Sequence, residues 1–159
     1  MREILLTGGG VALVDDEDFE RISAHRWRMD SRGRYARRSS EERGKGRIEV
    51  LMHREVSGFP DGVMTDHING NRLDNRRSNL RPATNSQNQM NRKTSSASGF
   101  KGVVYVPRKR KWQATIRIQG RTRFLGLFAS PDVAARAYDS SAAAAFGEYA
   151  RLNFPGTTP

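Results

Sequence analysis

The chain has 159 residues, of which 28 are Lys or Arg and 17 are Asp or Glu, leaving a net charge of +11 at pH 7 and pointing to a polyanionic partner. No apolar run approaches the roughly 18 residues that span a bilayer, and the first twenty residues lack the basic start and apolar core of a secretory signal, so the expected setting is cytoplasmic with no membrane partner. The sequence has no cysteine, which excludes disulfides, thiolate zinc sites and cysteine nucleophiles and leaves any metal to O and N donors, as suits a hard cation.

The charge is unevenly spread. Met1 to Asp30 carries seven acids and four basic residues, whereas between Asp74 and Asp132 there is no acid and thirteen basic residues occur. A polyanion is expected to lie along that second region.

In chain order, REILLTGGGVALV alternates apolar residues at Ile4 and Leu6 and at Val11 and Leu13 around a TGGG turn, as a hairpin does. A short helix is expected from Asp15 or Asp16, with acids in its first turn and Phe19 and Ile22 facing inward. Trp27, Met29 and Tyr35 suggest two more short strands. SSEERGKGR, from Ser39 to Arg47, has no apolar residue and reads as an exposed loop. Ile48 to Met52 fits either a strand or the start of a helix carrying Met52, His53 and Val56 and ending at Gly58. Val63 to Ile68 reads as a strand, Asn69-Gly70 as a tight turn, and Arg77 to Leu80 as the start of a helix reaching Asn91 with a break near Pro82. TSSASG, from Thr94 to Gly99, reads as a polar linker between domains.

Three further segments have strand character: Lys101 to Val106, Trp112 to Ile118, and Arg123 to Phe128. PRKRK and Gln119-Gly120 suit hairpin loops between them, so a three-stranded antiparallel sheet follows. A helix comes next, capped by Ser130, with Pro131 in its first turn and Gly147 past its end, and with Ala134, Ala137, Tyr138 and Ala145 on the stripe facing the sheet. Asn153 and Phe154 are expected to fold back and close this module, and residues 156–159 to be disordered.

The chemistry concentrates in MTDHINGNRLDNRRSNLRPATNSQNQMN, Met64 to Asn91. Cutting a phosphodiester needs a water-derived nucleophile and stabilisation of charge on the phosphate and the leaving oxygen. His67 can take the proton, and a divalent cation can serve the oxygens with one or two protein ligands. Adjacent strand residues point to opposite faces, so Asp66 and His67 serve one site only if the chain twists or leaves the strand there. An asparagine that both donates and accepts can pin such a loop. Asn79 and Asn88, nine apart, fall half a turn off face on a continuous helix, so they have different jobs or Pro82 breaks the helix between them.

On these residues, His53-Arg54 and DHINGNRLDNRRSNLR with its Asn-rich end, the stretch resembles the HNH endonucleases, and within them the phage and intron homing type. The resemblance implies a ββα-metal module in which His67 is the general base, Asp66 a metal ligand, Asn79 the residue that steadies the loop and Asn88 the second ligand of Mg²⁺ or Mn²⁺. Asn85 and Asn91 are rivals for the last role.

After the linker, GFKGV, KW, LGLF, AARAYD and LNFP resemble the plant ethylene-response-factor (APETALA-type) DNA-binding domain, whose sheet reads the major groove. That likeness implies DNA contacts from Lys101 and Arg117. In WQATIRI the basic residue places Gln113, Thr115 and Arg117 outward and Trp112, Ala114 and Ile116 inward. Arg108, Lys109, Arg110, Lys111, Thr115, Arg121 and Arg123 complete the expected DNA surface, the charged ones through phosphates. Val104, Thr115, Thr122 and Phe124 depart from that family's reading residues.

The sequence therefore reads as α+β: a nuclease domain over 1–93, made of a small β-rich part (1–47) and the catalytic stretch (48–93), a linker over 94–99, and a sheet-and-helix DNA-binding domain over 100–155. The expected activity is metal-dependent hydrolysis of double-stranded DNA to 5′-phosphate products. A nick is expected from one site per chain, acting as a monomer or weak dimer without a small-molecule cofactor. The competing reading is a non-cleaving DNA-binding regulator with a degenerate nuclease module.

Overall fold

A computed structural model describes residues 1–42, 44, 46–94 and 96–156. The expected disordered tail falls, but for Gly156, outside the described residues. The fold is mixed α+β, with several small antiparallel sheets, and the chain divides into two compact units, Met1–Asn85 and Ser86–Pro159.

In the first unit, β1 (Arg2–Leu5) and β2 (Val11–Val14) form the expected hairpin. Its second strand buries Ala12 and Val14 rather than Val11 and Leu13, because pairing of Ile4 with Ala12 puts the even-numbered residues of both strands on the core side. Helix α1 (Asp16–Ser23) follows with three acids in its first turn and Ile22 fully buried. Strands β3 (Arg28–Met29), β4 (Ala36–Glu42) and β5 (Gly46–Leu51) form a sheet in that order. The segment expected as a loop is thus mostly strand: Ser39 pairs with Glu49 and Glu41 with Arg47. Its polar run reflects a hairpin that meets water rather than an absence of structure.

Helix α2 (Met52–Ser57) buries Met52, His53 and Val56 and ends at Gly58 with φ +62°, a left-handed cap. The core beneath joins Ile4, Leu6, Val14, Ile22, Trp27, Met52, Val56 and Leu80, and Trp27 satisfies its indole N–H on the Ile22 carbonyl at 2.8 Å.

Strand β6 (Met64–His67) then pairs antiparallel with β7 (Leu80–Ala83). Here the sequence expectation fails: Arg77 to Leu80 does not begin a long helix. Arg77–Asn79 is a single 3-10 turn, Pro82 sits in β7, and α3 (Asn85–Met90) starts afresh. Proline cannot continue an α-helix but is tolerated in a two-stranded ribbon, where one side of the strand has no ladder partner.

In the second unit, β8 (Val103–Val106), β9 (Lys111–Ile118) and β10 (Arg121–Phe128) form the expected antiparallel sheet with β9 central. Gln119 (φ +50°) and Gly120 (φ +77°) make the tight turn between β9 and β10. Helix α4 (Pro131–Phe146) is capped by the Ser130 hydroxyl, which accepts from the Val133 amide at 3.4 Å. It buries Ala134, Ala135, Tyr138 and Ala142; Ala145, expected on this stripe, is exposed. The helix sits so close that a Cβ on Gly102 would lie 2.1 Å from the Tyr138 ring.

The chain end does fold back. Asn153 accepts from the Lys101 amide at 2.6 Å, and Asp139 accepts from the amides of Asn153 and Phe154 at 2.8 and 2.9 Å. The small residues before the sheet are tied down, since Ser96 and Ser98 hydroxyls both donate to the Val103 carbonyl at 3.0 and 2.8 Å.

Candidate active site and nucleic-acid face

The loop between β6 and β7 is built from asparagines with separate tasks. Asn69 Oδ1 accepts from the Asn71 amide at 2.7 Å and Asn71 Oδ1 from the Leu73 amide at 3.1 Å, two Asx turns that shape the chain. Asn79, buried, closes the loop at its base: Oδ1 accepts from the Asn69 amide at 2.9 Å and Nδ2 donates to the Asp74 carbonyl at 2.7 Å. The loop is held from outside too, as the Asn75 amide donates to the Leu13 carbonyl at 2.8 Å and the Leu13 amide to the Leu73 carbonyl at 2.8 Å. Asp74, also buried, takes a two-pronged bond from Arg76 at 2.8 and 2.7 Å and one from Asn69 at 2.8 Å, which holds its carboxyl below the usual range against its burial.

His67 ends β6 and is 4% exposed. Its Nε2 lies 3.3 Å from Asn75 Oδ1, and the His53 ring meets it edge-on at 5.2 Å between centroids. Tyr35 stands beside both imidazoles. Burial lowers the His67 pKa from its ordinary value, outweighing the opposing pull of the Asn75 bond and the Asp66 and Asp74 charges. The imidazole is therefore neutral at pH 7, the form that accepts a proton. His53 is pushed down to about 3 by burial and by the charges of His67 and Arg54, so it packs as a neutral ring.

Asp66 on β6 registers opposite Arg81 on β7 and receives Nε and Nη2 of that residue on Oδ2 at 2.9 and 2.8 Å. Asp66 and His67 thus keep the alternation of the strand, one toward Arg81 and the other toward Asn75. Among the remaining expected ligands, Asn88 is half-buried on α3, Asn85 is its exposed first residue, and Asn91 follows it, buried. Each of the three offers an amide oxygen and Asp66 a carboxylate, hard donors of the kind that Mg²⁺ or Mn²⁺ takes. Asp15, just before α1, and Glu17 and Asp18 in its first turn form a separate acidic group bonded by Arg77: its amide to Asp15 at 2.8 Å, its guanidinium to Glu17 at 3.0 Å and to both oxygens of Asp18 at 2.8 Å.

Asn75, which faces His67, is the residue of this cluster that sequence reasoning missed. It is 1% exposed and also donates from Nδ2 to the Leu73 carbonyl and the Met52 sulfur, each at 3.2 Å. The only signal for it was its place among seven asparagines between Met64 and Asn91.

On the second unit, Gln113, Thr115 and Arg117 alternate along β9 with Ala114 and Ile116, which are 0% and 2% exposed beneath α4. The outer face is thus the expected one. Cross-strand register adds Val104 opposite Gln113, Phe124 opposite Thr115 and Thr122 opposite Arg117. Arg121 and Arg123 are exposed, but they register with Ile118 and Ile116, on the helix side of the sheet. Arg108, Lys109, Arg110 and Lys111 are exposed at the β8–β9 turn. Lys101 turns away from solvent: its ammonium donates to the carbonyls of Met90 and Arg92, and burial lowers its pKa to about 8.

Residues 50–90 match the family model described as HNH endonuclease. That match, with the relatives below, supports a nuclease enzyme. Two viral proteins are similar to it. A protein of Acanthamoeba polyphaga mimivirus, named as an uncharacterized HNH endonuclease, is 29% identical over 147 residues, covering 91% of this chain and 75% of its own. Protein 3.8 of Escherichia phage T7 is 38% identical over 65 residues, covering 40% of this chain and 54% of its own, so this chain spans about half of that protein. No solved structure matches.

Proposed function

We propose that the protein is a metal-dependent DNA endonuclease of the homing type that nicks double-stranded DNA, leaving 5′-phosphate ends. The observation that carries this reading is the buried, neutral His67 held by Asn75 inside the matched segment. Asn75 Nδ2 is committed to an acceptor, the Leu73 carbonyl, so Oδ1 faces His67 and Nε2 carries the ring proton. Nδ1 is then the basic nitrogen that takes the proton from the attacking water. Asn79 keeps the loop beside His67 closed. Asp66 and Asn88 would hold a divalent ion, with Asn85 and Asn91 as alternatives to Asn88; Mg²⁺ or Mn²⁺ there would neutralise charge on the phosphate and the departing oxygen.

The second unit positions the first on duplex DNA through the outer face of its sheet and the basic turn Arg108 to Lys111, as in the APETALA-type domain it resembles. Phosphate contacts from that turn set register and affinity. One site per chain makes the product a nick.

Incubation of the full chain with supercoiled plasmid tests this reading: relaxed circles form with Mg²⁺ or Mn²⁺, none with EDTA, and none with His67→Ala. The Arg81 bond to Asp66 supports a second reading, a DNA-binding regulator with a degenerate nuclease module, in which the guanidinium stands in for a cation. That reading predicts no relaxed product from the native protein under any ion.

A further inference from the structure

The outer face of the second unit's sheet combines two unusual properties. Residues Ser86 to Pro159 carry twelve Lys and Arg against three acids, so the unit is strongly complementary to a polyanion. Yet two large apolar side chains stand exposed on that face: Val104 is 59% exposed and Phe124 62%. Neither belongs to the core clusters under α4. The strand alternation that buries Val103 turns Val104 outward, and pairing of Phe124 with Thr115 puts the phenyl ring on the same side.

We propose that Val104 and Phe124 select thymine, by packing against the 5-methyl groups that A·T pairs present in the major groove. The proposal rests on the reading that this sheet binds duplex DNA. Of the base edges displayed in the major groove, only thymine offers a methyl, the group against which an apolar side chain in that groove packs. An arginine or lysine at either position would read guanine instead.

The register fixes the spacing. Val104 and Phe124 flank the central strand on opposite sides and are offset by two residues along it, which at ordinary strand spacings separates them by roughly 12 Å. With a base rise of about 3.4 Å, that is three to four steps. Two thymines at that separation are the expected signature. Gln113 and Thr115, on the central strand, lie between the two contacts and supply hydrogen bonds to the intervening pairs, with Arg117 one outward position beyond Thr115.

The test uses the full chain in EDTA, so that DNA is bound and not cut. Selection from a randomised duplex pool is expected to enrich thymines three to four steps apart. Replacing those thymines by deoxyuridine removes only the methyl groups, and affinity is expected to fall about fourfold per position, the effect of losing one buried apolar carbon. Val104→Ser with Phe124→Ser, both at exposed sites, is expected to bind the thymine and uracil duplexes alike. Equal binding of the two duplexes by the native chain overturns thymine selection while leaving duplex binding intact. Failure to retain any duplex overturns the DNA-binding reading and this proposal with it.

Discussion

His67 Nε2 and Asn75 Oδ1 face each other at 3.3 Å in the interior, eight residues apart in sequence. The amide cannot turn over without pointing its NH₂ group at a ring N–H and losing the Leu73 carbonyl. A base whose proton is fixed on one nitrogen leaves the other poised, and this defines how the site can be tested.

Asn75→Ala is expected to lower the single-turnover cleavage rate by about 10- to 100-fold, the usual range for losing a residue that orients a working side chain. KM for DNA should barely move, because Asn75 is buried and touches no substrate. Asn75→Asp keeps an acceptor toward Nε2 and should recover much of the rate. An equal loss in both variants, or a change confined to KM, would show that Asn75 does not act through His67.

Asp18 ties α1 to the turn that carries Asn79. Its carboxylate is buried, and burial alone would raise its pKa; the bonds from Arg77 and Arg21 outweigh this and lower it. Asp18→Asn leaves two guanidiniums short of their partner. Because both arginines are nearly half exposed and partly screened, the expected loss is about 2 kcal/mol rather than the larger figure for fully buried pairs. Urea unfolding measures it, and an unchanged midpoint would mean the bonds contribute nothing net.

His53 sets a pH limit on stability. Its folded pKa of about 3 lies below the ordinary 6.5, so the unfolded chain binds the extra proton throughout that window. Stability is full above pH 6.5 and falls with pH by about 1.4 kcal/mol per unit down to about 3. His53→Phe, which keeps a ring against Tyr35 and His67, should flatten that slope in thermal unfolding between pH 6.5 and 5.

Local signals were legible in the sequence and pairings were not. Ser130, Pro131 and Gly147 bracket α4 through rules that need only a few neighbouring residues, and Gly58 ends α2 in the same way. By contrast, Ser39 to Glu42 reads as loop by composition and becomes strand by pairing with β5. Leu80 to Ala83 reads as helix and becomes strand by pairing with β6, with Pro82 the one local hint against the helix. At the site, Asp66 and His67 stood out by residue type, and Asn79 by what an amide can do for a loop. Asn75 did not, since nothing local separates it from Asn69 and Asn71, which only shape turns. What distinguishes it is burial beside Met52, a contact across more than twenty residues of chain.

Gly102→Ala separates the two halves of the function. Gly102 adopts φ +76°, and a Cβ there would lie 2.1 Å from the Tyr138 ring and 2.6 Å from the Thr115 carbonyl oxygen. The left-handed conformation costs an alanine about 1–2 kcal/mol, and the overlap adds about 1–3 kcal/mol because a backbone atom cannot swing aside. The substitution lifts α4 from β8 and β9, so the second unit should lose most of its stability while the nuclease core around Trp27 and Met52 is untouched in sequence and packing. Trp112 fluorescence should then report unfolding at lower urea than the signal of Trp27, and duplex affinity should drop with Trp112. Plasmid nicking at high protein concentration should persist, because His67, Asn75 and Asn79 do not depend on Gly102. Loss of nicking in parallel with duplex affinity at every concentration would instead mean that the chemistry requires the second unit intact.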